Sequence, residues 1–502
     1  MTLTRDVEML FSSSDGYVSV MADVRRDSAP VAFWGLRSGS PTDKVAETGT
    51  FTFTLDNSEA GSGGVGYYSP DNATLRAGFA IGTPVRVKMT DGVTTLYKLY
   101  YISSINPEPG SYRGRGTNIT ATDFMARLGV QYADTLTVLT NKKTDEALTT
   151  LIASCSIAPL ATDYSAGPYN LAYVFHDIDG RKTTVLNALQ RLLQSDMNYC
   201  VCDADSTGGE TLVYQTRQDT QGETSFATFT DTMTGLSLLH ADDRIYNDVA
   251  VISYPVNLGA AVEVVYSYPR EQQIIAGESV TFTARYRDPS ASGESIRMLA
   301  GSEVTPVADT DYKMSSIAGN GGNNLNANLT VAVTWYADSA IVTLTNSGAV
   351  TGHVNLFQLR ATLVRLYDPA ESNTAGTSDN IALYGSRPLR FVMPYQDNVN
   401  VAASFATALL SKWGTPQTAV EALDFVTKDT ATESLLLAGG IGKRITVKET
   451  VTGVDADYSI NGIEWTLEPT VTRVRWYCER LDTGVYWELD VSTLDDDTVL
   501  DV

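Results

Sequence analysis

The chain has 502 residues, of which 43% are hydrophobic and 9% aromatic, so its composition is that of a folded globular protein and excludes a disordered one. This length suits about three or four domains of roughly 100–200 residues each. Acidic residues outnumber basic ones by 59 to 36, and the formal net charge of -23 excludes a basic surface for binding nucleic acid. We interpret the negative charge as a contribution to solubility. The alternative is that it lines a channel through which DNA passes without binding.

The cysteines indicate folding in a reducing compartment. Cys200 and Cys202 would point to the same face of a strand, which is poor geometry for a disulfide between them, and their spacing is not the Cys-x-x-Cys of a zinc ribbon. We therefore expect buried free thiols at these two positions and at Cys155 and Cys478. Residues 1–20 contain no signal peptide and no apolar run is as long as a membrane helix, so we expect a soluble chain without membrane insertion of its own.

Residues 1–130 are predicted to be rich in strands. The segment 50–55 alternates polar and apolar side chains, as half-buried strands do. After a glycine-rich stretch, a hairpin is predicted from IGTPVRVK at 81–88 and YYISSI at 100–105. A short helix over 124–128, capped by Thr122 or Asp123, follows the last strand.

Residues 131–220 are predicted to form a small α+β module. One helix starts at Thr144, and its apolar residues recur at helical spacing. A second helix is predicted from about Thr184 to Met197. Two strands follow, over 199–202 and 211–215.

The pattern changes again after a long strand predicted over 245–253. Helical spacing disappears, and short strands alternate with clusters of Gly, Asn, Asp and Pro, which favours an inserted β-sandwich over 256–378. Three of its segments alternate clearly: 280–286, 329–335 and 340–346. The host of this insertion would consist of residues 221–255 and 379–502.

The C-terminal part repeats the first hairpin. A helix is predicted over 399–413, ended by Gly414 and Pro416. IGKRITVK at 441–448 and YSINGI at 458–463 then follow the same template as the earlier hairpin. Two similar hairpins so far apart predict two related β-domains that arose by internal duplication.

No residue pattern predicts a catalytic, cofactor or metal site. The histidines are scattered at 176, 240 and 353, and there is no Gly-x-Ser-x-Gly elbow, P-loop or His-Glu-x-x-His. His176-Asp177-Ile178-Asp179 and His240-Ala241-Asp242-Asp243 have the residue types of half a metal or acid–base site. Polar turns are the favoured interpretation of both.

Three features of the predicted sandwich have the residue types of ligand sites. Asp309-Thr310-Asp311 resembles a fragment of a calcium loop but lacks the Gly and the final Glu of an EF-hand, so a turn is favoured. The loop tip 319–324 has the glycines for positive φ and would contact a sugar or a partner, or simply solvent. Trp335-Tyr336 would form a sugar-binding platform or, as we favour, belong to the core.

Several motifs, taken in order, resemble those of the minor tail proteins that form the tail tip or baseplate hub of tailed bacteriophages. In the N-terminal part they are FTLDNS at 53–58, YSP at 68–70, IGTPVRV at 81–87 and ATDFMARL at 121–128. In the C-terminal part they are YGSR at 384–387, WGTP at 413–416, IGKRITV at 441–447, YSINGIEW at 458–465 and YWELD at 486–490. The resemblance covers about the first 130 and the last 120 residues.

The resemblance implies a mainly β fold with two tail-tube-like β-barrel domains. They would occupy residues 1–130 and the host segments 221–255 and 379–502, with the α+β module over 131–220 and the inserted β-sandwich over 256–378. Three chains would form a ring of six similar barrels that meets the hexameric tail tube. The insertion departs from the minimal hub pattern.

The resemblance also implies a function and a set of partners. The chain would be a structural, non-enzymatic component of the virion tail, assembled in the host cytoplasm, which closes or extends the tail tube and anchors tip proteins for DNA delivery. Its partners would be two further copies of itself, a tail-tube or distal tail protein, the C-terminus of the tape-measure protein and tail fibre or spike proteins, with DNA only in passage. The alternative is a module that binds a host glycan or receptor through the sandwich.

Overall fold

The structure, a computed structural model, describes residues 3–37, 45–109, 115–133, 136–178, 183–231, 233–240, 244–288, 295–319, 321–416, 418–427, 429–481, 486–487 and 499–500. Strands account for 47% of the chain and helices for 15%, which confirms the predicted mainly β class. Within the described ranges, no helix is long and apolar enough to cross a membrane.

The N-terminal elements are β1 (Thr4–Met9), β2 (Val18–Ser19), β3 (Val31–Gly35), β4 (Glu47–Asp56), β5 (Pro84–Thr90), β6 (Thr95–Pro107), β7 (Gly116–Thr122) and α1 (Phe124–Leu128). The next elements are β8 (Leu139–Lys143), α2 (Thr144–Ala153), β9 (Ala161–Tyr164), β10 (Asn170–Val174), α3 (Val185–Gln194), β11 (Tyr199–Asp203), β12 (Thr211–Gln215), α4 (Arg217–Gly222), β13 (Ala227–Thr230) and β14 (Gly235–Leu239).

A long middle region contains β15 (Asp248–Ser253), β16 (Val256–Ser267), β17 (Gln272–Ile274), β18 (Ser279–Arg285), β19 (Arg297–Met298), β20 (Tyr312–Ile317), β21 (Gly321–Asn324), a 3₁₀ turn (Asn326–Asn328), β22 (Leu329–Trp335), β23 (Ser339–Asn346), β24 (Gly352–Leu366), β25 (Ala370–Ala375), α5 (Ser378–Tyr384), β26 (Pro388–Val392) and α6 (Val399–Trp413). The C-terminal elements are β27 (Ala419–Val426), α7 (Thr430–Ala438), β28 (Arg444–Glu449), β29 (Val454–Leu467), β30 (Thr472–Arg480), β31 (Tyr486–Trp487) and β32 (Val499–Leu500).

One sheet of 13 described strands connects the two ends of the chain. Its main path is β14-β27-β30-β29-β3-β4-β7-β6-β5-β1-β2, with β28 beside β29 and β13 beside β28. The path contains two units with the same strand order. We call β3-β4-β7-β6-β5-β1 the first strand unit and β14-β27-β30-β29-β28-β13 the second strand unit; equivalent strands also follow one another in the same order along the chain.

The repeated hairpins are equivalent in detail. Pro84 lies opposite Tyr101 in the first, and Arg444 lies opposite Ser459 in the second, which are the same positions of the sequence template. Each long strand then carries a bulge at the next equivalent position, after Ile102 in β6 and after Ile460 in β29. Shared register and a shared bulge are difficult to obtain independently, so the structure supports duplication of the hairpin with its neighbours.

The two predicted closed barrels are not found. A barrel would require the outer strand of each unit to pair with its own long strand, because closure must satisfy every edge. The outer strand β3 instead pairs with β29 of the other unit, and the described sheet stays open. The buried side chains of both units accordingly form one hydrophobic core, which includes Phe51, Phe53, Trp465 and Trp476.

Three smaller cores lie beside the large sheet. The module between the units has its own core, in which the apolar faces of α2 and α3 meet β11 and β12. The sheet around β24 packs on the sheet β18-β23-β22 and forms a sandwich. A fourth core lies between α6 and the sheet β25-β15-β26. The division of the chain into independent domains at the predicted boundaries stays a prediction.

Several predicted elements are found with nearly the expected bounds. α6 spans Val399–Trp413, as the apolar spacing indicates, and the side chain of Asp123 caps α1 by accepting a hydrogen bond from Met125 N. The strand predicted over 245–253 is shorter, because β15 begins only at Asp248. Just before β15, the side chain of Asn247 donates hydrogen bonds to Asn380 Oδ1 (2.7 Å) and to the Gly385 carbonyl (2.9 Å).

Candidate functional site: the joint between the two strand units

The pairing of β3 with β29, which we call the joint, connects the two strand units. The strands are antiparallel, with Val31 opposite Thr466 and Gly35 opposite Gly462. Backbone hydrogen bonds close both ends: Leu36 N donates to the Asn461 carbonyl at 2.8 Å, and Leu467 N donates to the Pro30 carbonyl at 2.9 Å. The joint thus satisfies the edge of β3 with strand-to-strand hydrogen bonds.

Apolar burial favours the joint. Ala32, Phe33 and Trp34 have 0% exposure, so β3 is covered on both faces. The ring of Trp34 meets that of Trp465 edge to face at 4.8 Å between centroids, a favourable geometry for aromatic pairs. The indole Nε1 of Trp34 donates to Asp203 Oδ1 at 2.7 Å, so its polar atom is satisfied and the same side chain connects the joint to β11.

Two facing glycines allow the backbones to approach closely at one end of the joint. Gly35 has φ of 95°, a conformation that favours glycine. A Cβ atom on Gly35 would lie 2.4 Å from the Asn461 carbonyl oxygen, and one on Gly462 would lie 2.4 Å from the Leu36 carbonyl oxygen. A larger residue at either position would therefore push the strands apart.

Arg5 of β1 reaches across from the first unit to the second. Its guanidinium donates to the carbonyl of Val471 at 2.6 Å and to that of Pro469 at 3.1 Å, and also to the carbonyl of Glu468. These carbonyls belong to the turn between β29 and β30. A charged donor that binds three carbonyls fixes this turn of the second unit against the first.

The β5–β6 turn of the first unit contacts α7 of the second. Ser434 Oγ donates to Asp91 Oδ2 at 2.7 Å, while Thr94 N and Val93 N donate to Asp91 Oδ1 at 2.7 and 2.9 Å. These hydrogen bonds lower the pKa of Asp91 to about 2, and the bond from Ser434 contributes most to this shift. The carboxylate is therefore charged throughout the physiological range.

A buried, ion-paired lysine connects the first unit to the module. Lys98 of β6 is completely buried, and its Nζ lies 2.8 Å from the Cys202 carbonyl oxygen and 3.3 Å from Asp123 Oδ2. Asp123 Oδ1 accepts from Gly49 N and Met125 N at 2.9 and 3.1 Å. Burial raises the pKa of Asp123, and the charge of Lys98 opposes that shift. Removal of either partner would leave a buried charge without its counter-ion.

The face of the large sheet that points away from its core is polar in both units. In the first unit it carries uncharged residues such as Thr52 and also the ion pair between Glu8 Oε2 of β1 and Arg86 Nε of β5, at 2.6 Å. In the second it carries charged residues, among them Arg475, whose Nε lies 3.8 Å from Asp424 Oδ1. One face thus packs and the other is polar, as expected for an antiparallel sheet.

The structure does not gather the histidines into a common site. His176 is partly buried and stacks on Tyr173, and burial, with repulsion from two arginines, lowers its pKa to about 3, so the ring is neutral. His240 Nδ1 lies 3.0 Å from Thr418 Oγ1, and His353 Nδ1 lies 2.9 Å from Glu271 Oε1. Asp179 and residues 241–243 lie outside the described residues. The part of the chain that the structure describes contains no group of three or more His, Cys, Asp or Glu arranged to hold a metal.

The sandwich residues with possible ligand roles have structural partners. Asp311 is buried and accepts two hydrogen bonds from the Arg360 guanidinium, at 2.6 and 2.8 Å, within the predicted turn. Asp309 adopts a positive φ of 65° and accepts from Asn326 Nδ2 at 2.9 Å. Residues 321–324, predicted as part of a loop tip, form β21 instead; Asn320 lies outside the described residues. Trp335 is half-buried and packs against the sandwich core.

The prediction of free thiols is confirmed at all four cysteines, and the prediction of burial at three of them. Cys155, Cys200, Cys202 and Cys478 are free, and all but Cys155 are buried. Burial raises the pKa of Cys200 to about 12 and that of Cys155 to about 11, so both thiols are protonated at neutral pH. A protonated, buried thiol is a poor nucleophile and behaves as a small apolar side chain.

Sequence reasoning missed the two outer strands and Arg5. The signal for β3 was an apolar run, VAFW at 31–34 after Pro30, which is typical of a strand covered on both faces. β14 has a similar but weaker signal in GLSLL at 235–239. No local pattern marks Arg5, because its partners are more than 460 residues away.

No protein-family model matches the chain, and no curated protein matches it. Solved structures are similar to it over nearly its whole length. The tail protein from Neisseria meningitidis MC58 is 12% identical over 96% of this chain and 97% of its own, with a TM-score of 0.48. The 43 kDa tail protein of prophage MuSo2 from Shewanella oneidensis is 10% identical over 95% and 100%, with a TM-score of 0.47. The E. coli c3393 protein, a component of the type VI secretion system, is 8% identical over 96% and 81%, with a TM-score of 0.38.

Proposed function

We propose that this chain is a structural subunit of a bacteriophage tail tip or baseplate hub. Three copies form a ring that closes or extends the tail tube and anchors tip proteins through which DNA is delivered. The motif resemblance in both terminal regions supports this role, and the chain acts there without catalysis. The ring lies in the virion tail.

The repeated strand order carries the proposal. Two units with the same order lie side by side in one sheet and share one core. Three such chains present six similar units, so a threefold ring of this protein can match a sixfold tube. A chain with a single unit would need six copies to do the same.

The expected partners follow from this position. One rim of the ring meets a tail-tube or distal tail protein, and the other meets fibre or spike proteins. The C-terminus of the tape-measure protein occupies the lumen before ejection, and DNA passes through it afterwards. The net charge of -23 suits a passage that does not bind DNA.

Electron cryo-microscopy of assembled tails tests the proposal. We expect density for three copies of this chain at the distal end of the tube, with the two strand units alternating around the axis. Density for the chain elsewhere in the particle, or tails assembled fully without it, would contradict the proposed function. Mass photometry of the purified chain complements this test, with an expected species at three times 54.2 kDa.

A host-glycan or receptor-binding module is the second candidate function. The sandwich has a core separate from that of the large sheet, so it can carry a role of its own. Its sheet β18-β23-β22 presents exposed hydroxyl pairs, with Thr281 Oγ1 2.9 Å from Thr343 Oγ1 and Ser279 Oγ 2.7 Å from Thr345 Oγ1. Glycan-array binding that disappears when residues 256–366 are deleted would support this role; unchanged adsorption of a phage lacking them would contradict it.

A further inference from the structure

We propose that a cleft between the α+β module, the second strand unit and α6 binds a carboxylate group, which the guanidinium of Arg217 recognises. The inference goes beyond the proposed tail role and does not depend on it. We call the cavity lined by Tyr199, Arg217, Lys412 and Ser459 the carboxylate cleft.

The carboxylate cleft is small and lies where three parts of the chain meet. The module contributes Tyr199 and Arg217, α6 contributes Lys412, and the second unit contributes Ser459. Its volume is about 40 Å³, and a second cavity of about 20 Å³ shares Tyr199, Thr220 and Ser459 with it. A space of this size holds a few water molecules or a group of a few heavy atoms, so it suits one side chain or a small acid.

Arg217 is the charged group of the cleft that lacks a counter-ion. Within the described residues its guanidinium has no hydrogen-bond or ion-pair partner, and its Cζ lies 5.5 Å from the centroid of the Phe405 ring. A guanidinium beside an aromatic ring keeps its N–H groups available for a carboxylate. Acidic residues outnumber basic ones by 59 to 36 in this chain, yet none of those that the structure describes neutralises Arg217.

The cleft already contains one carboxylate, but its oxygens have other partners. Glu479 Oε1 lies 2.5 Å from Lys412 Nζ. Glu479 Oε2 accepts hydrogen bonds from Tyr199 OH at 3.1 Å and from Asn461 Nδ2 at 2.8 Å. Two cations and one anion line the cleft, which gives 2 − 1 = +1. This charge matches a single carboxylate, whereas a phosphate dianion would leave an excess negative charge beside Glu479.

Uncharged polar side chains of the cleft are also available to a ligand. The side chains of Thr220, Gln221 and Ser459 form no hydrogen bond within the part of the chain that the structure describes, although Thr220 and Ser459 are both buried. Buried polar groups normally have a hydrogen-bond partner. A carboxylate has two oxygens that each accept more than one hydrogen bond, so it can bind Arg217 and some of these donors together.

The remaining walls are apolar, which favours an aliphatic carboxylate. Met197, Leu409 and Trp413 line the cleft and would contact the methylene groups next to the carboxylate. The carboxylate has two possible sources. One is a small acid or an acidic side chain of another molecule. The other is the chain itself, because Leu481 lines the cleft and residues 482–502 contain acidic residues but no Lys or Arg.

Binding of sodium propionate to the full-length chain tests the proposal. Saturation-transfer NMR at constant ionic strength measures the affinity, and inorganic phosphate should not displace the propionate. Arg217→Gln should weaken binding by about tenfold or more, because the charge-assisted hydrogen bonds are lost. The matched control is Arg285→Gln, which removes the charge of an exposed arginine of the sandwich and should leave the affinity unchanged.

A second variant tests the same cleft without removing the arginine. Gln221→Glu keeps the size of the side chain and places a carboxylate beside Arg217 and Lys412, so it should also weaken propionate binding by about tenfold. Circular dichroism checks that each variant is folded. If Arg217→Gln does not fold, the result for Gln221→Glu decides.

A third variant distinguishes the two sources of the carboxylate. In this full-length chain every acidic residue of 482–502 is replaced by its amide. Propionate should bind several-fold more tightly to it than to the unaltered chain if these residues occupy the cleft, because a competing group has been removed. Equal affinity would assign the carboxylate to another molecule. Both results support a carboxylate site.

Three results would overturn the inference. The first is the absence of propionate binding in every one of these chains. The second is an unchanged affinity in both Arg217→Gln and Gln221→Glu. The third is an equal loss of affinity in the Arg285→Gln control. The proposed function is tested by the position of the chain in assembled tails, so either proposal can fail while the other stands.

Discussion

The two strand units have the same strand order but differ at their edges. In the second unit, β3 covers the long strand β29, whereas the outer strand β14 has no partner on one side within the described residues. In the first unit the outer strand β3 is paired on both sides, whereas part of the edge of the long strand β6 has no partner within the described residues. The first strand β1 is antiparallel to β5, whereas its counterpart β13 is parallel to β28. Duplication thus preserved the order of strands, while the contacts at the edges diverged.

The strands of a repeated unit can therefore pair with a neighbouring unit instead of closing the unit on itself. Each unit has the parts for a closed barrel, but β3 pairs with the neighbouring unit. The same hydrogen bonds that would have closed one unit now hold two units in a fixed register. If the contacts at the edges of the two units determine stability, variants at equivalent positions of the two units should differ in their free energy of unfolding.

The largest expected effect is at the tryptophan of the joint. Trp34→Ala removes a fully buried ring that packs on Trp465, and it should lower the free energy of unfolding by about 3–5 kcal/mol. Leu238→Ala on the half-buried strand β14 should lower it by only about 1 kcal/mol in the isolated chain. Urea unfolding of both variants measures the difference. Equal losses would mean that the two outer strands are covered alike.

A smaller effect is expected for the arginine that crosses between the units. Arg5→Ala removes three hydrogen bonds from a charged donor to the turn after β29, and should cost about 2 kcal/mol. The exposed Arg26 provides the control, and Arg26→Ala should change the free energy of unfolding by less than about 0.5 kcal/mol. Thermal unfolding followed by circular dichroism compares them. If Arg5→Ala left the free energy of unfolding unchanged, the turn would be held by β29 and β30 alone.

The equivalent glycines of the two hairpins should respond unequally. Gly82 and Gly442 both have positive φ, 86° and 83°, so Ala at either position costs about 1 kcal/mol in backbone strain. A Cβ at Gly82 meets nothing within 4 Å, whereas one at Gly442 would lie 2.0 Å from Gln215 Oε1. Gly442→Ala should therefore cost about 1 kcal/mol more than Gly82→Ala, as Gln215 moves away. Denaturant midpoints of the two variants decide the point, and a larger loss for Gly82→Ala would contradict the assigned contact.

The smallest effect concerns the hydrogen bond between Asp91 and Ser434. Because the pKa of Asp91 is lowered to about 2 in the folded state, its contribution to stability is present above the unfolded pKa near 4 and is lost as the pH falls towards 2. Ser434→Ala should raise the pKa of Asp91 towards its ordinary value. Carbon-13 NMR titration of aspartate carboxyl groups, with Asp91→Asn for assignment, measures the shift. An unchanged pKa would show that the backbone donors of the turn suffice.

Much of the local structure could be predicted from the sequence, because its causes are local. The apolar spacing of 399–413 gives α6 its bounds, and the alternation of 329–335 gives β22 its bounds. The repeated IG-x-x hairpin template identified the duplication. In each case the residues that determine the element also lie within it.

The joint itself could not be predicted, because its causes are distant in sequence. The local sequence around Trp34 predicts that this side chain is buried, but it does not indicate that its partner is Trp465. Likewise, no residue near Arg5 indicates that its side chain binds carbonyls of residues 468–471. The two predicted closed barrels are absent for the same reason. A closed barrel and the observed sheet use the same strands, and they differ only in the strand with which β3 pairs. Local patterning determines the strands, whereas tertiary packing determines their partners.

The distance between the partners of the joint also has a consequence for synthesis. Trp34 and its opposite residue Ile463 are separated by 463 − 34 = 429 residues. At about 5–20 residues per second, translation of that interval takes roughly 20–90 s. During this time the apolar strand β3 has left the ribosome and β29 does not yet exist. This edge of β3 therefore stays without its strand partner while most of the chain is made, and the joint forms only after β29 has been synthesised.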